Sequence, residues 1–207
     1  MKNLLTIDFI THYGLTTPSL TNWLVETNRS YFELDDNSGV IVLSTSANSG
    51  AARIRNSKNL ALIIANYERF INALPSAFQS GKKRCDFVLA DDGNSCFVLG
   101  EIKDISTDEE EHVKRHTIRK GAKKQLLASL EALVAVPSIK LSIHTKSLKQ
   151  CAYFNKQPLA PSSLSVITAF NPLTSLFPAG IKKDSPAMEV FGFEFYQYTG
   201  AQTLILK

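Results

Sequence analysis

The sequence predicts an α/β fold with a central mixed β-sheet flanked by helices, and three patterns predict it. A one-sided apolar stripe at helical spacing runs from Lys58 to Leu74. Two apolar runs then flank Asp92-Gly93, a pair suited to the positive φ angles of a tight hairpin turn. A second helical stripe, from about Val113 to Val136, precedes the strand-like run Gln150–Lys156. Helix, hairpin, helix and strand in this order make an α/β unit.

Composition narrows the class. Of the 207 residues, 44% are hydrophobic and 20% charged, which is ordinary globular usage and argues against a disordered chain or a rod. The length suits one domain over residues 1–207, with a core at about 57–155 elaborated by both terminal segments. No apolar run approaches the roughly 20 residues needed to span a bilayer. Met1–Leu5 hints at a signal sequence, but Asp8 and His12 interrupt it. Three cysteines cannot build a disulfide scaffold, so the expected compartment is the cytoplasm. The net charge of +4 permits a nucleic-acid partner without requiring one.

In chain order, residues 1–34 open the domain with a short strand or helix and mix polar and apolar residues around Trp23, Tyr31 and Phe32. A turn leads into a strand at Val40–Leu43, and Thr45–Arg53 reads as a small, polar loop. In the first helix Leu60, Ile63, Ile64, Tyr67, Ile71 and Leu74 form the stripe, Ser57 can cap the start, and Pro75 follows the end. After the hairpin comes an acidic run, Asp108–Glu111. The second helix carries Ala122, Leu126, Leu130, Leu133 and Val134 on one stripe and stops at Pro137. Ser138–Thr145 reads as a strand, the proline-rich 157–187 segment as irregular, and Val190–Lys207 as a hairpin around Thr199-Gly200.

The central hairpin holds the chemistry. With Asp92-Gly93 as a two-residue turn, Asp86 pairs with Leu99 and Arg84 with Glu101. Strand alternation then sends Arg84, Asp86, Leu99, Glu101 and Lys103 to one face, and Phe87, Leu89, Val98 and Ile102 to the other, where they can cover a helix. Two close carboxylates repel unless a cation sits between them. Mg²⁺ takes hard oxygen ligands and keeps several waters, so Asp86, Glu101 and the Ile102 carbonyl suit it as ligands. Lys103 then stands beside the activated water and the developing charge of a phosphodiester transition state.

Cys85–Leu89 and Cys96–Asp104, with their surroundings, resemble the core of the PD-(D/E)xK nuclease superfamily, the restriction-endonuclease-like fold. The resemblance covers about residues 57–155. It implies that Asp86 is the metal-binding aspartate, Glu101 the second carboxylate and Lys103 the catalytic lysine. Cys85 stands where the family often has proline. Glu101-Ile102-Lys103 is the only acidic-x-Lys triplet in the chain. The expected activity is therefore Mg²⁺-dependent hydrolysis of DNA, of restriction or genome-defence type, with Mn²⁺ able to substitute. Two alternatives are a non-catalytic DNA-binding or assembly subunit retaining the fold, and a nuclease acting on RNA. Cutting both strands usually needs two sites, so a homodimer or partner subunit fits the activity. The plainest competing reading is a surface ion-pair cluster among Arg84, Asp86, Glu101 and Lys103.

Further candidates flank this core. Many members of the family place another glutamate on the helix before the hairpin, and Glu68 lies at the border of the first helix's stripe. Glu26 and Glu33 are weaker alternatives. Lys83, Arg84, Arg119, Lys120 and Lys123 are candidate phosphate contacts, since the second helix holds six Lys or Arg between Lys114 and Lys124. Related nucleases often aim a Lys or Gln of this helix at the site. Lys123 falls closer to the apolar stripe than Gln125 and is preferred. His112 and His116 stand at i, i+4 but lack a third ligand for zinc. The cysteines read as small core residues. Phe191, Phe193 and Phe195 read as one packed face, with Tyr196 and Tyr198 on the other, where stacking on bases competes with ordinary packing. No phosphate-binding G-x-x-x-x-G-K-[ST] loop occurs.

Overall fold

A computed structural model describes residues 1–37, 39, 41–44, 51–81, 83–104, 112–156, 180–200 and 202–206, without the side chains of 104, 112–116 and 156. The acidic run Asp108–Glu111, the loop 45–50, most of the proline-rich segment and the His112 and His116 side chains lie outside the described residues.

A π-helical stretch Leu4–Phe9 runs on into α1 (Ile10–His12), and β1 (Leu24–Thr27) follows. Next come β2 (Tyr31–Asp36), β3 (Ile41–Ser44), β4 (Ala52–Asn56) and β5 (Leu62–Asn66), then α2 (Tyr67–Asn72) and α3 (Ser76–Gln79). The hairpin is β6 (Phe87–Asp91) and β7 (Cys96–Asp104). After it come α4 (His112–Val134), α5 (Pro137–His144) and β8 (Leu148–Lys156). The chain ends with β9 (Ile181–Lys183), α6 (Pro186–Glu189), β10 (Glu194–Thr199) and β11 (Thr203–Leu206). Seven strands form the central sheet in the order β1-β5-β6-β7-β8-β10-β9. It is mixed, because β7–β8 and β8–β10 pair in parallel and the other neighbours antiparallel. A second sheet has the order β11-β4-β2-β3.

The α/β expectation therefore holds, with layers arranged as alternation requires. Val88, Ala90, Phe97, Leu99 and Cys151 pack on one face against Phe9, Phe70, Leu126, Leu130, Leu133, Ile139 and Ile143 from the helices. Phe87, Leu89, Val98, Ile102 and Phe154 pack on the other face against Phe32, Leu34, Ile54, Leu204 and Leu206 of the second sheet. The two face sets of the hairpin are those expected, but their coverings are corrected. The carboxylate-bearing face lies under the helices, and the Phe87 face meets a sheet rather than a helix. Ala122, Leu126, Leu130 and Leu133 of α4 are buried as the stripe predicts.

Four element assignments are corrected. The helix at Lys58–Leu74 is a helix only from Tyr67, because Leu62–Asn66 is a central strand flanked by β1 and β6. A strand covered on both faces is apolar throughout, and such a run mimics a helical stripe. Asn66, not Ser57, caps the helix, its side chain accepting the Arg69 N–H at 2.9 Å. Ala52 and Arg53 belong to β4 rather than to a loop, and Ser138–Thr145 is not a strand, since Pro137–His144 is helix α5 with proline at its first turn. The C-terminal pair is no hairpin: β10 joins the central sheet beside β8, and β11 pairs in parallel with β4 of the second sheet. Of the proline-rich segment, residues 181–183 form β9 and Pro186 begins α6.

The hairpin turn is longer than two residues. Val88 pairs with Leu99 and Ala90 with Phe97, so Asp91 stands opposite Cys96 across the four-residue loop Asp92–Ser95. The Asp91 carboxylate accepts the N–H groups of Ser95 at 3.2 Å and Cys96 at 2.8 Å. Lys146, itself buried, donates to the Asp91 and Gly93 carbonyls. This clamp moves every partner by two positions, which leaves the faces unchanged and brings Asp86 level with Glu101 rather than Leu99. Among the described residues, no single helix is long and apolar enough to cross a membrane.

Candidate functional site

Asp86 precedes β6 and enters the sheet through its backbone, its N–H donating to the Gly100 carbonyl at 3.1 Å. Its carbonyl accepts the N–H of Tyr67 at 3.0 Å and of Glu68 at 3.3 Å, which ties the start of α2 to it. Its carboxylate accepts the Ile102 N–H at 2.6 Å. Glu101 and Lys103 follow on the same face of β7. Lys103 Nζ lies 2.5 Å from Glu101 Oε1. Asp86 is 3% exposed and Glu101 0%, whereas the Lys103 side chain is 31% exposed. The cluster is thus rooted in the core and opens through the lysine, which is not the geometry of a surface ion-pair network.

Burial shapes its electrostatics. Loss of water pushes the Asp86 carboxyl up to about 7, against the pull of Lys103 and the Ile102 N–H. Asp36 and Glu68 add to the upward push. Burial and then the Asp86 charge push Glu101 up to about 8, with Lys103 opposing. Burial acts to lower the Lys103 ammonium, but Glu101 and Asp86 outweigh it and hold it above its ordinary value. Lys103 holds Glu101 Oε1, and Oε2 has no hydrogen-bond donor among the described residues. An acceptor in that state is costly unless a cation or water satisfies it.

Glu68 reaches this neighbourhood from the first turn of α2, half-buried, and its charge is felt by Asp86, Glu101 and Lys103. The position is the expected one, although the helix that carries it starts later. Glu26 lies exposed on the edge strand β1, and Glu33 is buried in the second sheet, accepting from Tyr31 at 2.5 Å. Asp36 is a group that sequence reasoning missed. It ends β2 and accepts the Gly39 N–H at 2.8 Å, while Asn66 donates to the Gly39 carbonyl at 3.0 Å. No local signal in the sequence links β2 to the hairpin. Among the described residues, no three His, Cys, Asp or Glu side chains are grouped closely enough to hold a metal by themselves.

Two edges of α4 divide the basic candidates. Gln125 donates to the Arg84 carbonyl at 3.0 Å, and Ser129 accepts the Cys85 N–H at 2.7 Å, so this edge braces the segment entering Asp86. Lys123 lies on the other edge, donating to the Asp184 carbonyl at 2.9 Å and sitting 5.7 Å from the Phe195 ring centre. The preference for Lys123 as the residue aimed at the site is corrected: Gln125 contacts the site segment. Arg119 and Lys120 are exposed, and Arg119 is near enough to act electrostatically on Tyr153. Lys83 is exposed and Arg84 half-buried. Both line a cleft of about 470 Å³ with Tyr13, Tyr67, Phe78 and Glu131. Tyr198 is buried, stacked on Phe154 at 4.9 Å and donating to Gln150, so it packs rather than faces bases. Tyr196 is half-buried against the inter-sheet core. Cys85, Cys96 and Cys151 are free and buried.

Comparisons with known proteins returned nothing: no family model, no curated protein and no solved structure matches the chain.

Proposed function

We propose that this chain is a Mg²⁺-dependent endonuclease of the restriction-endonuclease-like kind, hydrolysing DNA phosphodiester bonds. One observation carries the reading. Asp86, Glu101 and Lys103 share one face at the head of a mixed sheet, and the buried Glu101 carboxylate, paired with Lys103 through Oε1, has no donor to its Oε2 among the described residues. Two carboxylates raised toward neutrality by burial and by neighbouring carboxylates suit a divalent cation, because a cation stabilises both in the charged form. The donor set is hard oxygen, which fits Mg²⁺ or Mn²⁺. Asp86 and Glu101 would hold the ion, with the Ile102 carbonyl, water and the nearby Glu68 completing the shell. When bound, such an ion lowers the pKa of a coordinated water and neutralises charge on the phosphate.

The protein's own groups supply the rest. The Ile102 N–H fixes the Asp86 carboxylate. Lys103 neutralises Glu101 and, as the exposed end of the cluster, would face a scissile phosphate bound there. As an ammonium it would stabilise negative charge on the phosphate rather than act as a base. Arg119 and Lys120, with Lys83 and Arg84, offer positive charge on either side for the DNA backbone.

The test is digestion of supercoiled DNA and of RNA, side by side, with Mg²⁺, with Mn²⁺ and with chelator. Metal-dependent cutting of DNA is expected, with Asp86→Ala, Glu101→Ala and Lys103→Ala each inactive yet folded. Full activity in Glu101→Ala would sink the reading, and preferential cutting of RNA would reassign the substrate. The close Lys103–Glu101 pair favours a second reading, a DNA-binding or assembly subunit in which the cluster is only a structural ion pair. Metal-independent DNA binding without cleavage would select it.

A further inference from the structure

The parallel pairing of β7 with β8 sets Tyr153 level with Glu101. Both side chains point to the helix-covered face, where Tyr153 packs with Leu99 and Cys151. Tyr153 is 1% exposed, and its hydroxyl has no hydrogen-bond partner among the described residues. Of the Glu101 carboxylate beside it, Oε1 pairs with Lys103 and Oε2 has no donor among the described residues. One of these groups is a donor and the other an acceptor. Each is out of water, and the charges of Glu101, Lys103 and Arg119 all act on the tyrosine hydroxyl. Two adjacent buried polar groups of opposite character, each with an atom left unsatisfied, are costly apart and complementary together.

We propose that Tyr153 is a positioning residue for Glu101: its hydroxyl donates to the Glu101 carboxylate, directly or through one buried water. The inference deepens the metal-site reading and rests on it only for its consequence, not for the bond itself. A carboxylate held from one side by a phenol presents its other oxygen toward Asp86 and Lys103. Partners of this kind orient metal ligands, and their loss commonly weakens metal binding about 10- to 100-fold. A single buried water closing the bridge is ordinary where two polar groups line the space.

A double-mutant cycle tests the bond without metal. Urea unfolding is measured for the unmodified chain, Tyr153→Phe, Glu101→Met and the double variant. Phenylalanine keeps the ring and its packing, so only the hydroxyl is removed. Tyr153→Phe is expected to lower the unfolding midpoint when Glu101 is present and to leave it unchanged, or raise it, in the Glu101→Met background. An equal effect in both backgrounds would overturn the inference. Calorimetric titration with Mn²⁺ tests the consequence, with affinity expected to fall about tenfold in Tyr153→Phe. Undiminished affinity would overturn the positioning role. If the cycle shows coupling but the unmodified chain binds no Mn²⁺, the Tyr153–Glu101 bond stands and the metal reading falls.

Discussion

Gly100 governs how closely β6 and β7 approach beside Glu101. Its strand partner is Phe87, whose ring lies where a Cβ on residue 100 would go. Gly100→Ala is therefore expected to cost about 1–3 kcal/mol through overpacking, read as a lowered urea midpoint. An unchanged midpoint would mean that the ring yields. Glu101 itself should behave in the opposite way. Neutralising a buried carboxylate that repels its neighbour relieves strain, so Glu101→Gln is expected to raise the midpoint of the metal-free protein while ending metal-dependent cleavage. Activity and stability moving together in that variant would contradict a ligand role. At this scale the sequence was informative. Asp86, Glu101 and Lys103 could be placed on one face because alternation is a property of the strand itself. Asp36 and Tyr153 could not, because neither shares a strand or turn with the hairpin.

Elements were legible in proportion to how one-sided their burial is. Helix α4 lies on the surface of the sheet, and Ala122, Leu126, Leu130 and Leu133 of the stripe read from spacing are buried, with Val134 half-buried at its margin. Strand β5 lies inside the sheet, so its apolar run carried no alternation and was taken into the helix that follows. Helical spacing sets Lys123 closer to the stripe than Gln125, but it does not say which edge of the stripe meets the site segment. Only the docking of α4 on the segment at Arg84 and Cys85 distinguishes them. The hairpin turn depends on Lys146, which comes 55 residues after Asp91. Removing it should leave the Asp91 carboxylate and two carbonyls without their cation. Lys146→Met is expected to destabilise the fold by about 3–5 kcal/mol and to speed amide exchange at Ser95 and Cys96. Exchange confined to its original rate would show that the Asp91 side chain holds the loop alone.

Stability of the whole molecule should follow the protonation of the buried pair. Asp86 and Glu101 have folded-state pKa values raised above those of the unfolded chain. Between about pH 4 and 8 the folded protein therefore binds more protons than the unfolded one, and its stability declines as pH rises. Asp91 is lowered despite its burial, through the Cys96 and Ser95 N–H groups and Lys146, so its contribution is lost only under acid conditions. Thermal unfolding without metal is expected to show a midpoint falling from pH 5.5 to 8.5, with a flatter profile in Glu101→Gln. Excess Mg²⁺ should raise the midpoint most at the alkaline end, where both carboxylates are free to bind it. A flat profile in the unmodified chain would show that the pair is hydrated.

At this largest scale the division between sequence and structure is plain. The sequence by itself determined the α/β class, the central hairpin and the sharing of a face by Asp86, Glu101 and Lys103, since periodicity and alternation are local. The tertiary structure alone decided that helices cover that face and a second sheet the other. It also decided that β10 and β11 part into different sheets, and that Tyr153 lies beside Glu101. Those outcomes depend on which distant surfaces meet, and an apolar face looks the same in sequence whether a helix or a sheet covers it.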